Sequence, residues 1–437
     1  MNELASLLNE QICSVNPVAF DMLSDLGKRI YFPSKGILSQ SGEAKKLADK
    51  YNATIGTALN GKTAMNLPCL MDSLPGISPN DALLYAPSYG QKPLREAWKA
   101  KLLHDNPSLK GVNFSLPVVA NGLTHALSLV GDLFVNAGDT VLMPNLNWDN
   151  YLLNFEDRLG ANLEFFTFFE GDHMNTRGFA ERMAKVAAGE KILVILNFPN
   201  NPTGYTPSEK EGNELASALI AAAERGAKVI ALVDDAYFGL FYAEDAMKES
   251  LFCKIAGKSR NLMAIKADAA TKECYVWGLR VGFLSFAIGG ADTPDSPFFA
   301  AMEAKAAGLV RALVSNCSAL SQKLVTTALT NPDFYAQRQG CADIMRKRYE
   351  RVVEAFKKHP EYSEYFEAYP FNSGYFMCIH FHALEANTVR KHLLEKYGTG
   401  CIALGKENLR VAFSSLNEDQ VEPVFEIIAQ ACKDLAK

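Results

Sequence analysis

Between residues 117 and 288 the chain alternates short, almost continuously apolar runs with helix-compatible stretches, and this alternation constrains the fold more than any other feature. The runs are "PVVAN" (117–121), "TVLMP" (140–144), "LEFFTF" (163–168), "KILVILNF" (191–198), "KVIALVD" (228–234), "LMAIKA" (262–267) and "VGFLSFAI" (281–288). Strands that are apolar on both sides belong in a sheet covered on both faces, and helices between them make such a sheet largely parallel. "THALSLVGDLFVN" and the stretch around 209–226 supply helices of this kind. After about residue 295 the pattern changes to long helical stretches, followed by "GYFMCIHF" (374–381) and "LRVAFS" (409–414). The expected fold is α/β: a large domain over 52–295 with a mostly parallel, helix-covered sheet, and a smaller α+β domain formed by 1–51 and 296–437.

Composition narrows the function classes. With 437 residues, 48% of them hydrophobic and 21% charged, the chain can bury one or two substantial cores and is long enough for an enzyme. A net charge of -5 and the lack of any dense Lys/Arg run argue against a general nucleic-acid binder. Nine cysteines, an odd number with no CxxC pair, fit reduced thiols better than a disulfide framework or a zinc site, so no metal and a cytoplasmic location are expected. "MNELASLLNEQICS" lacks the charge-then-apolar order of an export signal, and no run of ~18 apolar residues offers a membrane span.

Ligands of open α/β sheets sit beyond the carboxyl ends of the strands, so the residues just after strands carry the most information. After "PVVAN" comes "GLTHAL", where Gly122 turns the chain and Leu123, Thr124 and His125 open a helix whose free N–H groups favour an anion such as phosphate. After "TVLMP" comes "NLNWDNY" with Trp148, a packing aromatic on the face of it. "ALVDDAYF" ends an apolar strand on Asp234 and Asp235, which are costly to bury without a positive or protonated partner; an Asx-type turn with a solvated pair is the plain alternative. A turn there brings Asp234 and Tyr237 together. "LNFPNNPTGY" stops a strand at Asn, Pro and Gly, which form turns and also hold groups at strand tips. In "AATKECYVWGLRVGF" Lys272 precedes Arg280 by eight positions, although residue counts alone do not separate Lys272 from Lys266.

"NNPTG", "DDAY", the lysine and "GLRVG", in this order and spacing, resemble the class I/II aminotransferases, the aspartate aminotransferase-like group that uses pyridoxal 5'-phosphate on fold type I. The likeness runs from "NATIG" near residue 52 to "LRVAF" near 413. It implies that Lys272 forms the Schiff base, that Asp234 pairs with the pyridine nitrogen, and that Tyr237 and Asn201 donate to the ring's phenolic oxygen. It further implies that Trp148 stacks on the ring and that Arg280, Leu123 and Thr124 hold the phosphate. Tyr85 in "YAPSYG" would reach the phosphate of a partner subunit, so a homodimer is implied, and Gly56 and Arg410 would contact the substrate carboxylate. The family often has a hydroxyl three residues before the lysine; Ala269 stands there, so the phosphate would lean harder on Arg280, Thr124 and Tyr85.

These residue types are needed together. The lysine must attack an aldehyde as a neutral amine and then move the α-proton, Asp234 keeps the ring nitrogen positive so that the ring takes up electrons, and the Arg410 fork orients the substrate. "LVRALVSNCS" (309–318) resembles the aspartate aminotransferase segment whose arginine, here Arg311, crosses the dimer to a side-chain carboxylate; an arginine salt-bridged on a helix surface is the plain alternative. The resemblance therefore implies a transaminase of aspartate, with aromatic amino acids tolerated, and of 2-oxo acids such as 2-oxoglutarate. A β-eliminating lyase and a non-enzymatic cofactor-binding regulator on the same fold are the alternatives.

Overall fold

The computed structural model describes residues 2–32 and 36–436. Each of the seven apolar runs forms one strand of a single sheet: β1 Val118–Ala120, β2 Thr140–Pro144, β3 Asn162–Phe166, β4 Lys191–Asn197, β5 Lys228–Asp234, β6 Leu262–Ala269 and β7 Gly282–Ala287. Their spatial order is β1-β7-β6-β5-β4-β2-β3, with all pairings parallel except those of β7, which runs antiparallel to both neighbours. Nearly every residue of β4, β5, β6 and β7 is buried, which is why these strands are apolar on both faces rather than alternating. Each buried Ile, Leu or Val contributes about 1.5–3 kcal/mol of transfer free energy, so the sheet is a rigid platform.

The helices follow from local chemistry. Glu209–Glu224 opens with a capping box in which Ser208 and Glu211 satisfy each other's backbone N–H groups. Leu123–Phe134 opens without any side-chain cap, on Gly122 at φ 81°, and buries Leu123, Ala126, Leu127, Leu129 and Val130 against the sheet. A second sheet, β8 Phe366–Ala368, β9 Met377–Phe381, β10 Ile402–Leu404 and β11 Asn408–Val411 in the order β8-β9-β11-β10, is antiparallel throughout and carries the helices Ala386–Tyr397 and Val421–Leu435. The expected pair of layers is therefore present.

Helix packing bears on where the two layers divide. The helix Pro297–Val314 lies against β1, β7 and the helix Leu123–Phe134, and Ala319–Thr330 lies against Lys92–Asp105, so both belong with the large sheet. At the other end, Arg29 donates to the carbonyls of Asp157 and Arg158, and Tyr31 donates to the Asp157 carboxylate, which ties the first helices to the large layer as well. The helix Ile37–Leu47 joins the small sheet, through paired hydrogen bonds between Gln40 and the backbone of Ala403. We propose on this packing that the small domain comprises roughly 36–51 and 331–436. An amphipathic helix states how much of itself is buried but not against which sheet.

Candidate active site

The carboxyl ends of β1, β2, β4, β5 and β6 open on one side of the large sheet, and the loops that leave them enclose a cavity of about 390 Å³ closed by residues of the small layer. Ten of the residues singled out in the sequence line it: Gly56, Leu123, Thr124, Trp148, Asn201, Asp234, Tyr237, Lys272, Arg280 and Arg410.

At the floor, Asp234 ends β5 with its side chain fully enclosed. Tyr151 donates to its Oδ2 at 2.5 Å, Asn197 donates to its backbone carbonyl at 2.9 Å and its Oδ1 at 3.3 Å, and the Ala236 N–H donates to Oδ1 at 3.0 Å. Burial raises the Asp234 carboxyl above the usual range; the Tyr151 hydrogen bond and the nearby Lys272 oppose that. The turn after β5 swings Tyr237 back into the cavity, so the Asp234–Tyr237 juxtaposition expected from "DDAY" is present. Asp235 points the other way, into ion pairs rather than a solvated turn.

Lys272 lies on a one-turn helix, Ala270–Glu273, directly after β6, with its ammonium 4.5 Å from the centre of the Tyr237 ring. Burial pulls its pKa down to about 8 against the attraction of Asp234, and the Arg280 guanidinium adds to the lowering. Lys266 is equally buried but pairs with Asp235 and Asp268, and burial loses there to the two carboxylates, which hold it strongly protonated. Of the two lysines the sequence could not separate, only Lys272 presents an amine that loses its proton readily.

An anion cradle completes the floor. The Arg280 guanidinium crosses close over Gly122, so that a side chain there would displace it, and Gly122 at φ 81° takes a conformation that side chains disfavour and glycine adopts freely. The uncapped N–H groups at the start of Leu123–Phe134 face the same space. Thr271 adds a buried hydroxyl with no partner at the cavity wall, and the Trp277 indole N–H is also buried and unpartnered. Thr271 stands one residue before the lysine, and Ala269, the last residue of β6, is fully buried.

Above the floor, the buried Arg410 donates to the Asn201 side-chain oxygen at 2.9 Å and to the Thr54 carbonyl at 3.1 Å, with its guanidinium 4.1 Å from the centre of the Phe376 ring. Its Nε–H has no partner. Because Arg410 takes up the Asn201 oxygen, the Asn201 amide NH2 remains as that side chain's free donor. Trp148 meets Tyr151 edge to face at 5.7 Å.

Tyr85 and Arg311 are not in this cavity. They share a separate surface cleft with Ser88, Ser315 and Asn316, in which Arg311 donates to the Ser315 hydroxyl at 2.6 Å and Ser88 to the Ser315 carbonyl at 2.8 Å. Tyr85 is 91% exposed. Three residues other than glycine have positive φ among those described, Tyr275, Arg280 and Ser315; Arg280 lines the cavity and Ser315 the second cleft. Such strain collects at functional positions.

The family model for aminotransferase class I and II matches residues 49–428. The chain belongs to this family. Among its relatives, a probable aspartate/prephenate aminotransferase of Aquifex aeolicus is 29% identical over 282 residues, covering 63% of this chain and 64% of the relative. An aspartate aminotransferase of Bacillus sp. YM-2 is 24% identical over 62% of this chain and 61% of its own. The matched segments thus span a little under two thirds of these relatives. The fold extends further: an aminotransferase from Anaerococcus prevotii superposes with a TM-score of 0.81 at 23% identity, over 94% of this chain and 99% of its own. The kynurenine aminotransferase of Pyrococcus horikoshii, solved with PMP, superposes with a TM-score of 0.76 at 17% identity, over 97% of this chain and 100% of its own. These likenesses establish fold type I.

Pyridoxal 5'-phosphate is the cofactor of class I and II aminotransferases, and the donors present suit it. The orphaned Thr271 hydroxyl and the Gly122 cradle under Arg280 fit a phosphate, a lysine with a depressed pKa fits an aldehyde, and an enclosed carboxylate fits a protonated ring nitrogen. Tyr151, Asn197, Thr271, Trp277 and Phe376 escaped the sequence reading. Tyr151 and Asn197 sit three residues after Trp148 and four before Asn201, so their only signal was proximity to residues already suspected.

Proposed function

We propose that this chain is a pyridoxal-phosphate-dependent transaminase that moves an amino group from aspartate to 2-oxoglutarate, with aromatic amino acids as secondary donors. The observation that carries this reading is Lys272, its pKa lowered to about 8, in one cavity with Asp234 below and Arg410 above. When bound, the cofactor supplies an electron sink for the pair left behind when the α-proton departs. Arg410 takes the substrate α-carboxylate, and its unpartnered Nε–H offers a donor for it. Lys272 Nζ, as the neutral amine, would accept the α-proton and later deliver it to the carbon that was the cofactor's aldehyde. The Asp234 carboxylate, held on three sides by Tyr151, Asn197 and the Ala236 N–H, would keep a proton on the ring nitrogen. Asn201 and Tyr237 would donate to the ring's phenolic oxygen. Trp148 would cover one ring face, and Ile37, Ile55 and Phe376 add apolar surface to the cavity wall.

A coupled screen of the common amino acids against 2-oxoglutarate tests the reading. Aspartate is expected to give the highest kcat/KM and glutamate to appear in equal amount to oxaloacetate. Pyruvate release from a donor without any acceptor would assign a β-eliminating lyase instead.

The active unit is proposed to be a homodimer in which Tyr85 and Arg311 serve the partner's cavity. Supporting this, both lie outside their own chain's cavity, in one cleft, beside the exposed Leu83, Leu84, Leu313 and Val314. Sedimentation at assay concentration should give a dimer; a fully active monomer would refute it. No helix among the described residues is long and apolar enough to cross a membrane, and a cytoplasmic location is proposed with the reaction.

A further inference from the structure

Asp234, Tyr237 and Lys272 are each followed, within two residues, by a position fastened to a single buried lattice of charges outside the cavity. Asp235 pairs with the Lys266 ammonium and accepts from the Ser250 hydroxyl at 2.6 Å, and Lys266 also reaches Asp268 at 2.7 Å. Glu273 pairs with the Lys101 ammonium, which also reaches Asp105 at 2.9 Å, and Asp105 in turn pairs with Arg338 at 2.8 Å. On its way there, Arg338 passes over the turn after Tyr237, where a Cβ on Gly239 would lie 2.6 Å from Nη2. The two ion groups join through Trp98 and Phe238. The Trp98 indole N–H points at Asp268 at 3.5 Å with the Lys101 ammonium 4.7 Å from its ring, and Phe238 has Lys266 at 4.9 Å and Lys101 at 5.8 Å.

Buried ion pairs contribute little net stability, because desolvation of both charges offsets their attraction. What a buried network of this kind does supply is a restricted arrangement, since a shift weakens several close charge pairs at once in a low dielectric, even though Glu273 Oε1 takes no hydrogen bond. Here the constrained positions adjoin the residues assigned to opposite ends of a pyridine ring, the aldehyde carbon at Lys272 and the nitrogen at Asp234. We propose that Lys101 and Lys266 are positioning residues that, through Glu273 and Asp235, hold Lys272 and Asp234 at the separation the bound ring requires, with Arg338 tying the long helix Phe334–Lys358 to the same frame. The inference rests on the proposed function, and none of the lattice residues lines the cavity.

The test removes one ion pair as a pair. In Lys101→Met/Glu273→Gln the shapes are nearly kept and no charge is left alone, because Asp105 retains Arg338. With folding verified by circular dichroism, apoprotein of the double variant is expected to take up pyridoxal phosphate, read as growth of the visible band, about 10-fold more slowly than wild type. Its kcat should fall by about 10-fold or more, while KM for the amino donor changes by less than about twofold, since misplacement by a fraction of an ångström acts on the reacting atoms and not on Arg410. Lys101→Arg, which keeps the charge, should recover most of the uptake rate. A folded double variant within about twofold of wild type in both uptake and kcat overturns the proposal. Should the double variant not fold, Arg338→Gln, at the lattice's outer edge, is read the same way: about threefold slower uptake supports the proposal and an unchanged rate overturns it. If wild-type apoprotein takes up no cofactor, the proposed function falls; if it does and the variants match it, only the positioning role falls.

Discussion

Lys272→Ala is expected to abolish transamination, with kcat lower by about 10⁴-fold or more, because nucleophile and proton carrier are lost in one side chain. The wild-type protein should be yellow, lose that colour on borohydride treatment and carry the reduced cofactor on the Lys272 peptide. Recovery of the label on Lys266 would refute the assignment, and the structure gives the reason it should not occur. Lys266 is held as an ammonium between Asp235 and Asp268, whereas burial lowers Lys272 from 10.5 to about 8. At pH 7 an amine of pKa about 8 is neutral in roughly one molecule in ten, against about one in three thousand at the ordinary value. The sign follows directly: the rate at which apoprotein captures the cofactor should rise with pH up to about 8 and then level off. The same shift costs stability. A lysine whose pKa is lowered by folding binds fewer protons in the native state, so its unfavourable contribution is fully present below about pH 8 and fades as pH rises toward 10.5. Lys272→Met apoprotein should accordingly be at least as stable as wild type at pH 7.

What the sequence made legible divides by the kind of information involved. The seven strands were readable because burial on both faces leaves an unbroken apolar run, a property of consecutive residues. Residues at strand tips were readable for the same reason: Asp234, Asn201 and Lys272 stand where an apolar run stops and something polar must be accommodated. Tyr151 carries no such mark. Its hydroxyl matters because β2 and β5 lie near one another in the sheet, and nothing in "WDNY" states that. Thr271 carries no mark either: the resemblance points to the position three before the lysine, whereas the structure places the hydroxyl one before it at the cavity wall. Lys266 was set beside Lys272 as its equal because a buried lysine inside an apolar strand is intelligible only once Asp235 and Asp268 are seen around it. The layer to which the helix Pro297–Val314 belongs likewise depends on a contact across the chain.

Arg311→Leu is expected to lower kcat/KM for aspartate by about 100-fold or more, the loss of one buried ion pair worth ~3 kcal/mol, while an aromatic donor is nearly unaffected. Arg311 does not lie loose on its helix. It donates to Ser315, whose backbone is held at φ 66°, a conformation costing of order 1 kcal/mol for a residue with a side chain, and the Ser315 carbonyl is in turn fixed by Ser88. The guanidinium, Ser315 and the "YAPSYG" loop therefore form one preset group, with Tyr85 and Arg311 in one cleft outside their own chain's cavity. An arginine pre-arranged by a strained Ser315, with no carboxylate partner of its own, has a reason to exist if a carboxylate comes to it. A salt bridge on the helix surface, the plain reading of an arginine at this place, has no acidic partner within ion-pair distance of Arg311 among the described residues. If the carboxylate belongs to a substrate held in a partner's cavity, the penalty of Arg311→Leu falls on dicarboxylic donors alone, because a second carboxylate entering a closed site without a charged partner loses several kcal/mol. Equal losses for aspartate and an aromatic donor would instead make Arg311 a support for the Tyr85 loop. No loss for either would remove it from the site.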